Sequence, residues 1–185
     1  MKQNRDMFSI DKTVALLVDV QGKLARMMCD NETLFDSLEI FIKGMKILGI
    51  PILWMEQIPS KLGPTVDEIQ QLMAEESPIA KDSFSCCNEP VFMEKFEALS
   101  RSQVLVAGIE THICVFQTIR DLVVKGCDVQ VVSDCVSSRT QENKAVGLQR
   151  IVQAGAQITS VEMIFFELLQ RAKGDHFRQI ISLIK

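Results

Sequence analysis

The stretch Val104-Leu105-Val106-Ala107-Gly108-Ile109-Glu110-Thr111-His112-Ile113-Cys114 opens on four apolar residues in a row and closes on a polar, nucleophile-bearing cluster. A strand with one wet face alternates apolar and polar residues; a strand buried on both faces does not. The same unbroken habit marks Val14-Ala15-Leu16-Leu17-Val18, which runs straight into Asp19. Such strands belong to parallel sheets with helices on both faces.

The surrounding sequence supplies the helices. Leu34, Leu38, Phe41, Ile42, Met45 and Leu48 recur at helical spacing, as do Val115, Ile119, Leu122 and Val123. A helix, a glycine and a β-rich run follow one another at Gly49, Gly126 and Gly155, each glycine suiting the end of a helix. The pattern predicts a three-layer α/β/α fold around a mostly parallel sheet, in one domain over residues 1–185. A loop is expected over 56–63 and a short helix over 65–75, with Thr65 as cap and Glu68 completing a capping box. Further helices are expected over 89–99, 113–125 and 174–185.

Composition narrows the function. The 185 residues are 47% hydrophobic and 24% charged, with a net charge of −4. No basic block or interleaved aromatic stripe offers a phosphate-tracking surface, so the expected partner is a small molecule and not nucleic acid. No secretory h-region or membrane-spanning run is present in the sequence, which makes the cytoplasm the default expectation. The six cysteines, at 29, 86, 87, 114, 127 and 135, fit no zinc spacing. Neither a dinucleotide nor a P-loop fingerprint occurs, and no cofactor is called for.

Ligands of open parallel sheets bind beyond the carboxyl ends of the strands. On this reading those ends are Asp19, Glu56-Gln57, the Gly108-to-Cys114 stretch and Ser133-Asp134. A carboxylate after five apolar residues is poorly solvated, which raises its pKa and suits Asp19 to a proton-carrying role; capping a helix or pairing with an Arg is the plainer alternative. Cys114 falls where strand turns to helix, where the dipole would lower a thiol pKa and free N–H groups could hold an oxyanion; a packed core thiol is the alternative. Lys81 lies in the turn-rich Ser77-to-Phe84 segment, where a surface lysine is the ordinary expectation. His112 stands two residues from Cys114, a spacing at which helical side chains do not face each other. His176 reads as a surface residue.

Taken together, Asp19-Val20-Gln21, Glu56-Gln57-Ile58-Pro59, Leu62-Gly63-Pro64-Thr65, Lys81, Gly108-to-Val115 and Ser137-Ser138-Arg139 resemble the isochorismatase-like cysteine hydrolases over residues 12 to 184. The likeness is closest to the isochorismatase domain-containing proteins. It implies a six-stranded parallel sheet and an Asp19-Lys81-Cys114 triad. By that resemblance Asp19 takes the thiol proton, Cys114 attacks a carbonyl carbon to give a thioester, and Lys81 stabilises the charged pair. The backbone N–H groups of Glu110 and Cys114 would form the oxyanion hole, and a cis peptide would stand at Ile109-Glu110. Gln21, Leu24, Gln57, Phe84, His112 and Ile113 would line the pocket. A homo-oligomer, dimer or tetramer, is implied as well.

Two departures refine this. Nicotinamidases of the group carry an Asp-x-His metal motif after the second strand, whereas this chain has Met55-Glu56-Gln57-Ile58-Pro59-Ser60 and no histidine. No metal is therefore expected. True isochorismatases lack the cysteine, so its presence favours acyl chemistry on an amide, imide or carbamoyl C–N bond. Ligand binding without turnover, and vinyl ether hydrolysis, are the alternatives.

Overall fold

A computed structural model describes residues 6–185. In chain order its elements are β1 (Thr13–Val18), α1 (Gly22–Arg26), α2 (Asn31–Ile47), β2 (Ile52–Gln57), α3 (Pro59–Leu62), α4 (Asp67–Gln70), β3 (Ile79–Lys81) and α5 (Pro90–Ala98). There follow β4 (Gln103–Ile109), α6 (Phe116–Val124), β5 (Asp128–Ser137), α7 (Gln141–Gln153), β6 (Gln157–Thr159), α8 (Val161–Leu169) and α9 (Asp175–Leu183). The six strands form one sheet in the order β3-β2-β1-β4-β5-β6, and every pairing is parallel. The expected α/β/α architecture is the one observed.

Strand alternation divides the core. Val14, Leu16 and Val18 of β1 join Met55, Ile79, Val104 and Val106 in a cluster completed by Phe92 and Phe96 of α5, Ile119 and Leu122 of α6, and Ile151 of α7. Ala15 and Leu17 face the opposite way, with Trp54, Leu105 and Ala107, toward Phe41 and Met45 of α2, Phe165 of α8 and Ile180 of α9. Both faces of the central strands are dry, which is why their sequences are unbroken apolar runs. Gly108 permits the close approach of β4 to β1. Its φ is +114°, and a Cβ there would stand 2.0 Å from the Val18 carbonyl oxygen.

The structure corrects the sequence reading in several places. Lys81 does not lie in a loop; it ends the short edge strand β3, whose identity comes from pairing with β2. The fourth expected strand end, Ser133-Asp134, is interior: β5 continues to Ser137 through an irregularity that shifts its register on β4 from Val106↔Val131 to Gly108↔Val136. Asp134 instead accepts from the Val161 N–H at the start of α8, at 3.1 Å. The capping box does not form, because the Thr65 hydroxyl accepts from Trp54 Nε1 (2.8 Å) and donates to the buried Glu56 (2.8 Å). Helix α4 follows Val66 and runs on into a 3-10 turn over Gln71–Met73, inside the expected span of 65–75, and residues 59–62 of the expected loop are also helical.

Candidate active site

Four strand ends meet at the carboxyl edge of the sheet. Gln57 of β2 and Lys81 of β3 are register partners. Each stands two residues beyond an apolar residue of the α5–α7 face, Met55 and Ile79, so both side chains emerge on that face. Asp19 follows β1 directly and holds a left-handed φ of 52°. That conformation is uncommon for a residue with a Cβ and recurs at functional sites. Beyond β4, the chain passes through a cis Ile109–Glu110 peptide into a five-residue π turn, Thr111–Val115, which carries Cys114. Regular α-helix begins only at Phe116, so Cys114 is not in the first turn of an α-helix as expected. π turns of this kind are frequent at functional sites.

Asp19, Lys81 and Cys114 come together and are nearly sealed, with 2%, 3% and 7% of their surfaces exposed. Lys81 Nζ donates to Asp19 Oδ2 at 2.6 Å, to Gln57 Oε1 at 2.5 Å and to the Ser83 carbonyl at 3.2 Å. An ammonium has three hydrogens, so its donors are fully committed. The second carboxylate oxygen, Asp19 Oδ1, is buried and has no conventional hydrogen-bond partner among the described residues. The Cys114 thiol faces this carboxylate, and each group shifts the other's ionisation.

Burial raises the Asp19 carboxyl above its ordinary value, against the opposing pull of Lys81. Burial likewise pushes the Cys114 thiol up, and the Asp19 carboxylate adds to the rise. The expectation of a dipole-lowered thiol is therefore corrected. A helix end contributes at most about 2 kcal/mol, and here desolvation and a neighbouring anion outweigh it. The resting thiol is protonated, beside a carboxylate that burial has made more basic.

The expected pocket residues divide. Gln21 is fully buried, and its amide is spent on backbone: Nε2 donates to the Gln57 (3.2 Å) and Gly63 (2.7 Å) carbonyls, and Oε1 accepts from Gln57 N–H (2.6 Å). Gln57 is committed too, with Nε2 donating to the Asp82 carbonyl at 2.9 Å. Both amides therefore hold the frame of the site, through bonds to backbone and to Lys81. Leu24 packs against the α2 side of the core, away from the Cys114 cluster. Phe84 is 54% exposed, and Ile113 packs on the cluster that holds Cys114. His112 Nδ1 lies 3.0 Å from Ser138 Oγ, which fixes the ring without a link to Cys114.

Two supporting contacts escaped the sequence reading. Buried Glu110 accepts from both the backbone N–H and Nε of Arg139, at 3.1 Å each. Thr111 Oγ1 donates to the Ser137 carbonyl at 2.9 Å. Together they pin the turn that carries Cys114 to the end of β5. The Ser137-Ser138-Arg139 phrase was their only trace in the sequence. Among the described residues, no group of three His, Cys, Asp or Glu side chains is placed to hold a metal ion, and no helix is long and apolar enough to cross a membrane.

Comparison with known proteins identifies the family. Residues 13–163 match the isochorismatase domain family. A secreted isochorismatase effector of Phytophthora sojae is 37% identical over 94% of this chain and 84% of its own length. Isochorismatase domain-containing protein 2 of Danio rerio is 34% identical over 93% of this chain and 86% of its own length. Among solved structures, the MAR1 ribonuclease of Caenorhabditis elegans superposes with a TM-score of 0.90 at 30% identity, covering 97% of this chain and 92% of that one. From the strand-edge site and the family match across most of its length, the chain belongs to the isochorismatase family of hydrolases.

Proposed function

We propose that the protein is a cysteine hydrolase of small amides, imides or carbamoyl compounds, with Cys114 as nucleophile, Asp19 as proton carrier and Lys81 as the fixed countercharge. The observation that carries this reading is the Asp19 carboxylate facing the Cys114 thiol, with one oxygen held by Lys81 and the other buried without a conventional hydrogen bond among the described residues. A general base needs one open acceptor within reach of the proton it removes. Lys81, with every donor committed, acts on charge and orientation and does not itself touch substrate.

In the first half-reaction the Cys114 sulfur bonds to the carbonyl carbon while its proton passes to Asp19. The tetrahedral oxyanion is held by the backbone N–H groups of Glu110 and Cys114. Collapse breaks the C–N bond, Asp19 returns the proton to the leaving nitrogen, and a thioester remains. Water then attacks the thioester carbon and gives its proton to Asp19, and the acid departs as the thiol is restored. Because burial favours the neutral thiol, attack requires a base to take its proton, and Asp19 is the group placed to do so.

The residues present give no reason to route a step through a metal: after β2 the chain offers Glu56, whose Oε1 accepts from the Thr65 N–H and hydroxyl, and Gln57, tied to Lys81. We place the protein in a reducing compartment, consistent with six free thiols, and expect a homo-oligomer. The test is a panel of small amides, imides and carbamoyl compounds, followed by ammonia or amine release. Release by the wild type that is abolished in Cys114→Ala and cut at least about 100-fold in Asp19→Asn supports the reading. Ligand binding without release across the panel replaces it with a binding role.

A further inference from the structure

The side chains around Lys81 form a closed ring. Gln21 N–H donates to the Asp19 carbonyl at 2.8 Å. The Gln21 amide grips both backbone polar groups of Gln57, and Gln57 Oε1 accepts from Lys81, which returns to Asp19. Gln57 is only 8% exposed, and its amide is spent at both ends. The ring decides which oxygen of Asp19 the cation takes. Lys81 has one hydrogen each for Asp19 Oδ2, Gln57 Oε1 and the Ser83 carbonyl. If the Gln57 acceptor is removed, the stranded hydrogen has a candidate substitute on the carboxylate that Lys81 already holds, since Asp19 Oδ1 is buried and has no conventional hydrogen-bond partner among the described residues.

We infer that Gln57 is a positioning residue: by occupying one donor of Lys81, it confines the cation to a single oxygen of Asp19 and reserves the other for the Cys114 proton. This rests on the proposed role of Asp19 as base. It gives Gln57 a role distinct from the substrate contact expected from the sequence.

Two near-isosteric variants pull in opposite directions. Gln57→Leu frees a Lys81 donor to close on Asp19, so the carboxylate becomes a weaker and partly occupied base. Gln57→Glu keeps an acceptor for Lys81 and gives up the donor to the Asp82 carbonyl, while adding an anion that competes for the cation and repels Asp19. The experiment is iodoacetamide alkylation of Cys114, followed by peptide mass, across about pH 5 to about pH 9 for wild type, Asp19→Asn, Gln57→Leu and Gln57→Glu. Gln57→Leu is expected to lower the plateau rate about 10-fold, in line with loss of one hydrogen bond to a charged group, and to move the acid limb to lower pH. Gln57→Glu is expected to move the acid limb to higher pH. Profiles of both variants that match wild type, or that shift in the same direction, overturn the inference. If Gln57→Leu does not fold, an unshifted or downward-shifted Gln57→Glu profile overturns it alone. Asp19→Asn separates the two levels: if it leaves Cys114 alkylation unchanged, the proposed base is wrong. If it slows alkylation while both Gln57 profiles match wild type, only the inference fails.

Discussion

Replacing Lys81 by Met keeps the length of the side chain and removes the charge. The Lys81 and Asp19 side chains are 0% and 2% exposed, and their charged atoms are 2.6 Å apart. Breaking such a buried pair from one side strands the other charge, at a cost of about 3–5 kcal/mol. For a chain of this size that corresponds to a fall in Tm of roughly 6–20 °C near neutral pH. The pH dependence is the sharper signature. Asp19 in the folded protein titrates above its ordinary value of 3.8 because of burial, with Lys81 opposing the rise. A carboxyl whose pKa is raised by folding adds stability below its unfolded value and loses it as pH climbs through the folded value. Without Lys81 the folded value rises further, so the variant's deficit widens from acid to neutral pH. Thermal unfolding followed by circular dichroism at about pH 4.5 and about pH 8 reads this directly. The deficit is smaller at the acid pH, and Asp19→Asn added to Lys81→Met restores much of the loss at the higher pH. A deficit that is constant with pH, or larger in acid, refutes the description of Asp19 as a buried carboxylate held ionised by Lys81.

Other consequences are independent of that pair. A Cβ on Gly147 would stand 2.9 Å from the His112 nitrogen and the Thr111 carbonyl carbon. Gly147→Ala therefore displaces the turn that carries Cys114, and turnover on a hydrolysed substrate falls about 10-fold or more while the circular dichroism spectrum is retained; unchanged kcat contradicts this. Thr65→Val strips a partner from both Trp54 and the buried Glu56, at a cost of about 1–3 kcal/mol in urea unfolding. Because Trp54 is the only tryptophan, its emission maximum reports the same change, and an unaltered urea midpoint and spectrum would show the network to be idle. The resemblance to a protein described as a ribonuclease makes RNA a pointed control. With a net charge of −4, the purified chain is expected to leave single-stranded RNA intact, and cleavage that disappears in Cys114→Ala would assign it a different substrate.

The central fold was legible because its cause is local. Strands buried on both faces must be apolar throughout, and Val14–Val18 and Val104–Ala107 say so without reference to neighbours. The edge strand β3 was not legible, since Ile79-Ala80-Lys81 has no pattern of its own and exists through pairing with β2. The end of β5 was misplaced because polar Ser133-Asp134 interrupts a strand that resumes after a register shift. At the site, Asp19, Lys81 and Cys114 are brought together as the resemblance implied. Their electrostatics were less accessible. Position in the chain suggested a helix dipole acting on Cys114, but the burial that dominates depends on α5, α6 and the sheet closing over it. Gln21 and Gln57 show the same limit. Proximity to the site could be read from the sequence, whereas the spending of their amides on backbone and on Lys81 arises only from the folded register.

The central claim is that Cys114 carries the acyl group during turnover. Rapid acid quench of the protein with a small amide substrate, followed by intact mass and peptide mapping, tests it most directly. The account predicts a wild-type adduct equal to the acyl fragment of the substrate, confined to the peptide bearing Cys114, absent in Cys114→Ala and accumulating more slowly in Asp19→Asn. Substrate hydrolysis that persists in Cys114→Ala, or an adduct that maps to another of the six cysteines, would contradict it.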